Sequence, residues 1–197
     1  MHISFLLFLN YMGNFEMVYN VGVLISGSGS NLNAIIRSGI NVKFVVSNNH
    51  NAGGLCIAKK ANIPVYSWES LSKLESEVSK LILKYNTDLL ILAGFMRLLS
   101  SNFIQSMPKL SIINIHPSLL PAFKGANAIE QALKYGVKYT GVTIHYVDEG
   151  MDSGLIIDQA TIKIEESETI ISLQKRLQKI EHKLYPSTIK RILDSRK

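Results

Sequence analysis

The stretch SIINIHPSLLP, residues 111–121, decides how this chain folds, because it is an apolar run that contains two polar side chains and is closed by prolines. Side chains alternate between the two faces of a strand, so Asn114 and His116 lie on one face and the neighbouring isoleucines on the other. Pro117 cannot donate a ladder hydrogen bond, which predicts that the strand ends at His116. Both polar residues are therefore expected at a carboxyl strand end, the edge where open α/β sheets bind ligands.

The chemistry of Asn114 and His116 has two interpretations. A side-chain amide beside an imidazole can stabilise a developing negative oxygen and transfer a proton. A histidine in a strand is more often a hydrogen-bonded structural residue, and an asparagine before a proline turn often only caps the turn. This segment alone leaves a catalytic pair and a structural pair both open.

A glycine-rich turn, SGSGSNL at residues 26–32, follows the apolar run VGVLI at 21–25 and precedes a helical segment. Backbone N–H groups of such a turn and the start of the following helix bind phosphate. A dinucleotide site would need a third glycine, where Leu32 stands, and a carboxylate at the end of the next strand, at 42–49, which has none. A Walker loop would need Gly-Lys-Ser/Thr, which is also absent. Two interpretations of this segment remain. It binds a small phosphorylated ligand through Ser30 and Asn31, or it only packs the strand against the helix.

The chain continues with alternating helices and strands. Helices are predicted at residues 54–61 and 71–85, and strands at 63–66 and 88–94. This alternation predicts an α/β fold with a Rossmann-like, mostly parallel sheet, helices on both faces and an active cleft at the carboxyl edge of the strands. The loop at 95–99 follows the carboxyl end of a strand that neighbours the strand of Asn114. There it either lines a pocket for a flat heterocycle or belongs to the core.

An acidic loop, DEGMDSG at residues 148–154, follows the predicted strand at 140–147. Acidic loops are usually solvated turns, but this strand carries a second histidine, His145, on the face that leads toward the loop. Asp152 is therefore a candidate partner for His116. A helix at 126–135 closed by Gly136 precedes this region, and a further strand is predicted at 155–164.

Composition limits the class of protein. The 197 residues are 47% hydrophobic and 18% charged, which is typical of a globular protein, and the net charge of +6 is spread along the chain. Anionic small ligands fit this charge better than nucleic acid does, and the basic segment 163–197 is predicted to be an amphipathic helix with a solvated face. Cys56 is the single cysteine, which predicts no disulfides, no thiolate zinc site and a cytoplasmic location.

Residues 1–17 are predicted to be an N-terminal extension. Their apolar patch, FLLFL at 5–9, is too short to span a bilayer, and no Lys or Arg precedes it as in a secretory signal. Met12 and Met17 are alternative start sites, and start-site choice is the preferred explanation of this segment.

Four motifs, at residues 26–32, 93–97, 114–121 and 148–154, together resemble the phosphoribosylglycinamide formyltransferases, a family of folate-dependent formyltransferases of purine biosynthesis. The resemblance runs from about residue 21 to 186, with the motifs in the family's order and spacing. It implies formyltransferase-type topology and direct transfer of the formyl group of 10-formyltetrahydrofolate, as co-substrate, to the amine of 5-phosphoribosylglycinamide.

The resemblance also implies three sets of site residues. Asn114 and His116 stabilise the oxyanion and Asp152 relays the proton, with His145 in support. The phosphate and ribose are held by Gly29, Ser30, Asn31, Gln178 and Glu181. The folate is held, largely through backbone groups, by Met96, Arg97, Leu98, Leu99, Asp148, Glu149, Gly150 and Met151.

The chain departs from the family pattern at two places. Leu71 stands where relatives often carry an arginine near the folate, and Lys73 is the nearest residue that would replace it. Ile129 stands where relatives often show a histidine. Neither departure touches the catalytic residues.

The resemblance implies one formyltransferase domain at 18–197, with a phosphate-binding Rossmann-like half at 18–107 and a catalytic and folate-binding half at 108–197. The expected partners are small-molecule substrates, without metal, nucleic acid or membrane, and the chain is expected to be a monomer or homodimer. Formyltetrahydrofolate hydrolase is an alternative, but it usually has an added N-terminal domain; methionyl-tRNA formyltransferase usually has an extra C-terminal domain. A non-catalytic module that binds a sugar phosphate or folate is the third alternative.

Overall fold

A computed structural model describes residues 19–107 and 111–196; the predicted extension at 1–17 lies outside this range. The strands are β1 (Val21–Ile25), β2 (Val42–Ser47), β3 (Val65–Ser67), β4 (Leu89–Leu92), β5 (Ser111–His116), β6 (Tyr139–Tyr146) and β7 (Ile156–Lys163). The helices are α1 (Ser30–Arg37), α2 (Gly53–Lys60), α3 (Leu71–Lys84), α4 (Ser101–Gln105), α5 (Ala128–Tyr135) and α6 (Ile170–Asp194).

The strands form one seven-stranded sheet in the order β3-β2-β1-β4-β5-β6-β7. The first five strands pair in parallel, and β6 and β7 add as antiparallel neighbours. This confirms the predicted α/β, mostly parallel sheet. The strand order reverses direction between β1 and β4, and the crevice at such a switch point, outside the carboxyl ends of the strands, is where ligands bind in this architecture.

The core has two layers, one on each face of the sheet. In β1, Val23 and Ile25 join the cluster that contains Tyr185 of α6, whereas Leu24 joins the cluster that contains Val78 of α3. Alternation along the strand thus sends side chains into both layers. This is why β1, like β4, reads as a continuous apolar run and is buried along its whole length.

The strand predicted at 63–66 lies at Val65–Ser67, and backbone geometry explains two further displaced boundaries. The strand predicted at 88–94 ends at Leu92, and Gly94 turns the chain with a φ of 74°. The helix predicted from residue 126 begins at Ala128, because Asn127 has a left-handed φ of 59°. Gly136, with a φ of 81°, ends that helix as expected.

The basic C-terminal segment is a single 25-residue helix, α6, that begins with a capping box between Thr169 and Ser172. Its buried face includes Leu173, Leu177 and Tyr185, and its cations lie mainly on the outer face. In the described parts of the chain, no helix has the length and apolar character needed to cross a membrane.

Candidate active site

The ends of β5 and β6 bring two predicted site residues side by side. The antiparallel register pairs Asn114 with His145, and Asn114 Nδ2 lies 3.3 Å from His145 Nε2. His145 Nδ1 lies 2.8 Å from the carbonyl oxygen of Tyr146, which only accepts, so this nitrogen carries a hydrogen. The hydrogen bond to the backbone therefore fixes the His145 ring, with Nε2 facing the side-chain amide of Asn114.

His116 is enclosed by hydrogen-bond acceptors on both sides of its ring. Its Nε2 donates to the carbonyl oxygen of Phe123 at 2.9 Å, and its Nδ1 lies 3.3 Å from Asp152 Oδ2. The carbonyl oxygen only accepts, so Nε2 carries a hydrogen, and Nδ1 is the ring nitrogen that lies beside the carboxylate. His116 is 5% exposed, so its ring is buried beside that carboxylate.

Asp152 joins the two histidines. Its Oδ2 accepts from the Gly125 N–H at 2.8 Å, and its Oδ1 lies 3.6 Å from His145 Nε2. The interaction with His145, together with the Gly125 N–H and the His116 ring, lowers the pKa of Asp152 to about 2, against the burial that would raise it. The carboxylate is therefore ionised at neutral pH.

The structure thus brings Asn114, His116, Asp152 and His145 together at the carboxyl end of β5. Sequence reasoning missed the backbone groups that complete the cluster, the Phe123 carbonyl and the Gly125 N–H. The loop AFKG at 122–125 was visible in the sequence, but it carried no signal that its backbone turns inward. Phe123 has a positive φ of 55°, a conformation that its side chain does not indicate.

The glycine-rich turn requires glycine at position 29. Gly29 has a φ of 79°, and a Cβ there would lie 2.4 Å from the Cα of Gly54. The close approach of the turn to α2 leaves the turn amides at the start of α1, where Ser30 is the first helical residue. This is the geometry that places N–H groups and the positive end of a helix dipole toward an anion.

Helix α6 contributes to the same place. Asn31 Nδ2 donates to Glu181 Oε2 at 2.8 Å, and Asn31 Oδ1 is buried with no hydrogen-bond partner among the described residues. Burial raises the pKa of Glu181, and the bond from Asn31 opposes this shift. Gln178 is half-buried one turn earlier on α6, so the predicted phosphate and ribose residues lie on α1 and α6 as neighbours.

A groove of about 370 Å³ adjoins the turn at Ser30. It runs between α1 and α6, and its lining consists of Ser30, Asn33, Ala34, Arg37, Ser38, His182 and Pro186. The residues around Asp152 are not part of this groove.

The residues predicted to hold a flat heterocycle lie on two loops. Met96 and Leu98 are 78% and 51% exposed, whereas the side chain of Leu99 is buried in the core. In the acidic loop, Asp148 Oδ1 accepts from the Gly150 N–H and the Ser153 hydroxyl, which shapes the turn.

The two loops are joined through α4, which follows the 95–99 loop. Gln105 Nε2 donates to Glu149 Oε1 at 2.6 Å, and these side chains connect α4 to the acidic loop. Arg97 and Met151 are exposed on the two loops. The predicted residues therefore occupy two neighbouring segments, and those other than Leu99 are exposed to a ligand.

The two departures from the family pattern have local structural partners. Lys73 Nζ pairs with Glu77 Oε1 at 2.8 Å on α3, so its charge is already matched within the helix. Leu71 and Ile129 are partly buried and pack against the two core clusters. Within residues 19–107 and 111–196, no group of three or more His, Cys, Asp or Glu side chains has the arrangement of a metal site.

Comparison with known proteins gives consistent matches. A profile of the formyl transferase family matches residues 19–189. The phosphoribosylglycinamide formyltransferase of Bacillus subtilis is 40% identical over 182 residues, covering 87% of this chain and 93% of that protein. The human trifunctional purine biosynthetic protein adenosine-3 is 39% identical over 180 residues, and the chain spans 18% of its length.

Solved structures agree with this pattern. Phosphoribosylglycinamide formyltransferase from Bacillus halodurans superposes with a TM-score of 0.84 at 40% identity, covering 90% of this chain and 97% of that one. The enzyme of the same name from Anaplasma phagocytophilum gives a TM-score of 0.85 at 43% identity, covering 90% and 88%.

Proposed function

The chain belongs to the formyltransferase family, and from this membership we propose that it transfers the formyl group of 10-formyltetrahydrofolate to the amine of 5-phosphoribosylglycinamide. The observation that carries the proposal is the cluster at the end of β5, in which Asp152 contacts His116 and His145, and His145 in turn contacts Asn114. The acceptor's phosphate and ribose bind at Gly29, Ser30, Asn31, Gln178 and Glu181.

The reaction creates two charges that the site must manage. Attack of the amine on the formyl carbon gives a tetrahedral species with a negative oxygen and a positive nitrogen. An amide hydrogen of Asn114 donates to that oxygen, and loss of one such donor typically costs about 3–4 kcal/mol in transition-state stabilisation. The Tyr146 carbonyl holds the His145 ring, and the ring in turn holds the Asn114 amide at the end of β5.

His116 supplies the second donor. Its Nδ1 contact with Asp152, at 3.3 Å, is longer than its Nε2 bond to Phe123, at 2.9 Å. Because hydrogen bonds weaken with distance, the Nδ1 hydrogen is the one that is shared with the formyl oxygen, without movement of the ring. The Nε2 bond then anchors the ring while the contact with Asp152 is shared with substrate.

Asp152 relays the proton from the attacking amine to the departing folate nitrogen through water. Its pKa of about 2 keeps it ionised at neutral pH, so it accepts a hydrogen bond from the water that carries the proton. The pterin lies between the loops that carry Met96, Arg97, Leu98 and Leu99 and Asp148, Glu149, Gly150 and Met151. The reaction requires no metal, and we place the enzyme in the cytoplasm as a monomer or homodimer.

The experiment that tests this function supplies 10-formyltetrahydrofolate with and without 5-phosphoribosylglycinamide. We expect formylated product only when both are present, and a His116→Ala variant that is about 10²- to 10⁴-fold slower. Release of formate without the acceptor would identify a hydrolase. Binding of either ligand without any product, unchanged in the variant, would identify a binding module and overturn the proposal.

A further inference from the structure

The glycine-rich turn begins with a serine, Ser26, to which the reaction described above gives no role. Its side chain is half-buried and lies at the carboxyl end of β1. Its Oγ accepts from the Met96 N–H at 2.7 Å and donates to Asn48 Oδ1 at 2.5 Å. One hydroxyl therefore connects three loops, those that follow β1, β2 and β4.

The backbone of Ser26 contributes to the same junction. Its N–H donates to the carbonyl oxygen of Gly94 at 3.0 Å, and its carbonyl oxygen accepts from Asn49 Nδ2 at 3.4 Å. Gly94 is the point at which the chain turns away from β4. Ser26 thus contacts the backbone on both sides of Phe95, at Gly94 and at Met96, where the 95–99 loop begins.

The 95–99 loop depends on such an anchor because its middle residues face outward. The side chains of Phe95 and Leu99 are buried at 9% and 3% exposure, while Met96 and Leu98 are largely exposed. The two apolar ends hold the loop to the core, but exposed side chains do not fix the backbone between them. The hydrogen bond to Ser26 fixes the amide of Met96 at the start of that exposed part.

Asn48 orients the hydroxyl. Because the Ser26 hydrogen points to Asn48 Oδ1, an oxygen lone pair is left for the Met96 N–H. Replacing Ser26 with alanine would leave both the amide hydrogen and the asparagine oxygen without this partner.

We propose that Ser26 is a positioning residue for folate binding, whose hydroxyl fixes the 95–99 loop against the glycine-rich turn. This inference rests on the proposed function, since it assumes that the loop holds folate. Ser26 belongs to the glycine-rich turn and bonds the 95–99 loop. One side chain therefore fixes the position of the folate loop relative to the turn proposed to bind phosphate.

The test measures equilibrium binding rather than turnover, with tetrahydrofolate as one probe and 5-phosphoribosylglycinamide as the other. We expect Ser26→Ala to weaken tetrahydrofolate binding about 3- to 10-fold, in line with the loss of one hydrogen bond, and to change 5-phosphoribosylglycinamide binding less than about twofold. Ser26→Thr, which retains the hydroxyl, is expected to restore folate affinity.

Two further variants make the test decisive. Asn48→Ala keeps the hydroxyl but removes its acceptor, so it is expected to weaken folate binding in the same direction by about 2- to 3-fold; it decides the question if Ser26→Ala does not fold. Ser195→Ala is the matched control, because the Ser195 hydroxyl bonds only locally, to the Ile192 carbonyl oxygen at the end of α6. It should leave both affinities unchanged.

Unchanged folate binding in Ser26→Ala, or an equal loss for both probes, overturns this inference while leaving the proposed function intact. Failure of the wild-type protein to bind tetrahydrofolate overturns the proposed function instead.

Discussion

Asp152 carries the charge that organises the catalytic cluster, because its two oxygens face two different histidines. Replacing it with asparagine keeps the shape and removes the charge. We expect Asp152→Asn to lower formyl transfer about 10²- to 10⁴-fold, because the proton relay and the counter-ion of His116 are both lost. Steady-state turnover with both substrates is the measurement.

The matched control for that variant is Asp158→Asn. Asp158 is also a paired carboxylate, but its partners are Thr188 and Arg191 on α6 rather than the two histidines. Its replacement should leave turnover near wild type. Near-wild-type turnover in Asp152→Asn would remove this residue from the mechanism.

The same carboxylate predicts a pH dependence of stability. The pKa of Asp152 is lowered from 3.8 to about 2, so between these values the unfolded chain binds more protons than the folded one. The stabilisation is complete above the unfolded value and is lost as pH falls through the folded value. We expect the difference in unfolding free energy between wild type and Asp152→Asn to be constant above about pH 5 and to narrow toward pH 3.

Urea unfolding at a series of pH values measures this difference. A gap between the two proteins that stays the same from neutral pH to pH 3 would contradict the lowered pKa.

For individual residues, strand alternation predicted that Asn114 and His116 lie on the same face of a strand, and the structure places both at the candidate site. It did not predict the roles of Phe123 and Gly125, which act through a carbonyl and an N–H. Backbone groups are common to all residues, so their contribution depends on the local fold and leaves no trace in residue type. The assigned roles of the side chains remain predictions.

Among the elements, the turn before α1 makes the sharpest steric prediction. Gly29 and Gly39 have almost the same positive φ, 79° and 81°, but a Cβ at Gly29 meets Gly54 whereas a Cβ at Gly39 meets nothing within 4 Å. Gly39→Ala should therefore cost only backbone strain, about 1–2 kcal/mol of unfolding free energy. Gly29→Ala should cost more and also weaken 5-phosphoribosylglycinamide binding.

Chemical denaturation and ligand titration of the two alanine variants give the comparison. Equal destabilisation of the two variants would show that the turn can move away from α2.

Helix α6 is fixed to the sheet by a buried hydroxyl. Tyr185 Oη donates to the carbonyl oxygens of Leu92 and Ile113, on adjacent strands, at 2.9 and 3.2 Å. We expect Tyr185→Phe to lower the unfolding free energy by about 1 kcal/mol, the typical net value of such a bond. The control is Tyr139→Phe at a tyrosine that is 61% exposed, where we expect no measurable change.

Denaturant titration of both variants measures the effect. Equal stability of Tyr185→Phe and wild type would show that the hydroxyl contributes nothing to docking of the helix.

Element types were predictable because apolar runs and 3.6-residue periodicity are local features. The ends of the elements were less predictable. Strand β4 ends just before Gly94, and helix α5 begins just after Asn127, and both of these residues have positive φ values. Asparagine is tolerated there, but it is common in many other conformations, so its presence does not specify the turn.

For the whole molecule, the halves predicted at 18–107 and 108–197 share one sheet. Strands β4 and β5 pair in parallel from Leu89 with Ser111 to Leu92 with Asn114, and α6 packs on α1. We therefore expect the described chain to unfold in one cooperative transition. Trp68, the single tryptophan, reports on the first half by fluorescence, and far-ultraviolet circular dichroism reports on all elements.

Coincident urea midpoints from the two signals would support this expectation. Tyr185→Phe provides the check, since destabilising the contact between α6 and the sheet should shift both midpoints equally. Separate midpoints would show that the halves are independent folding units.

The position of Glu181 and Tyr185 on the last helix has a consequence for biosynthesis. Asn31 and the carbonyls of Leu92 and Ile113 emerge from the ribosome well before the residues that bond them. A nascent chain can pair its parallel strands early, but the site that we propose for the sugar phosphate stays unfinished until translation has passed Tyr185. A protein stopped short of that residue would carry the side chains of the candidate active site and still lack a completed place for the proposed acceptor.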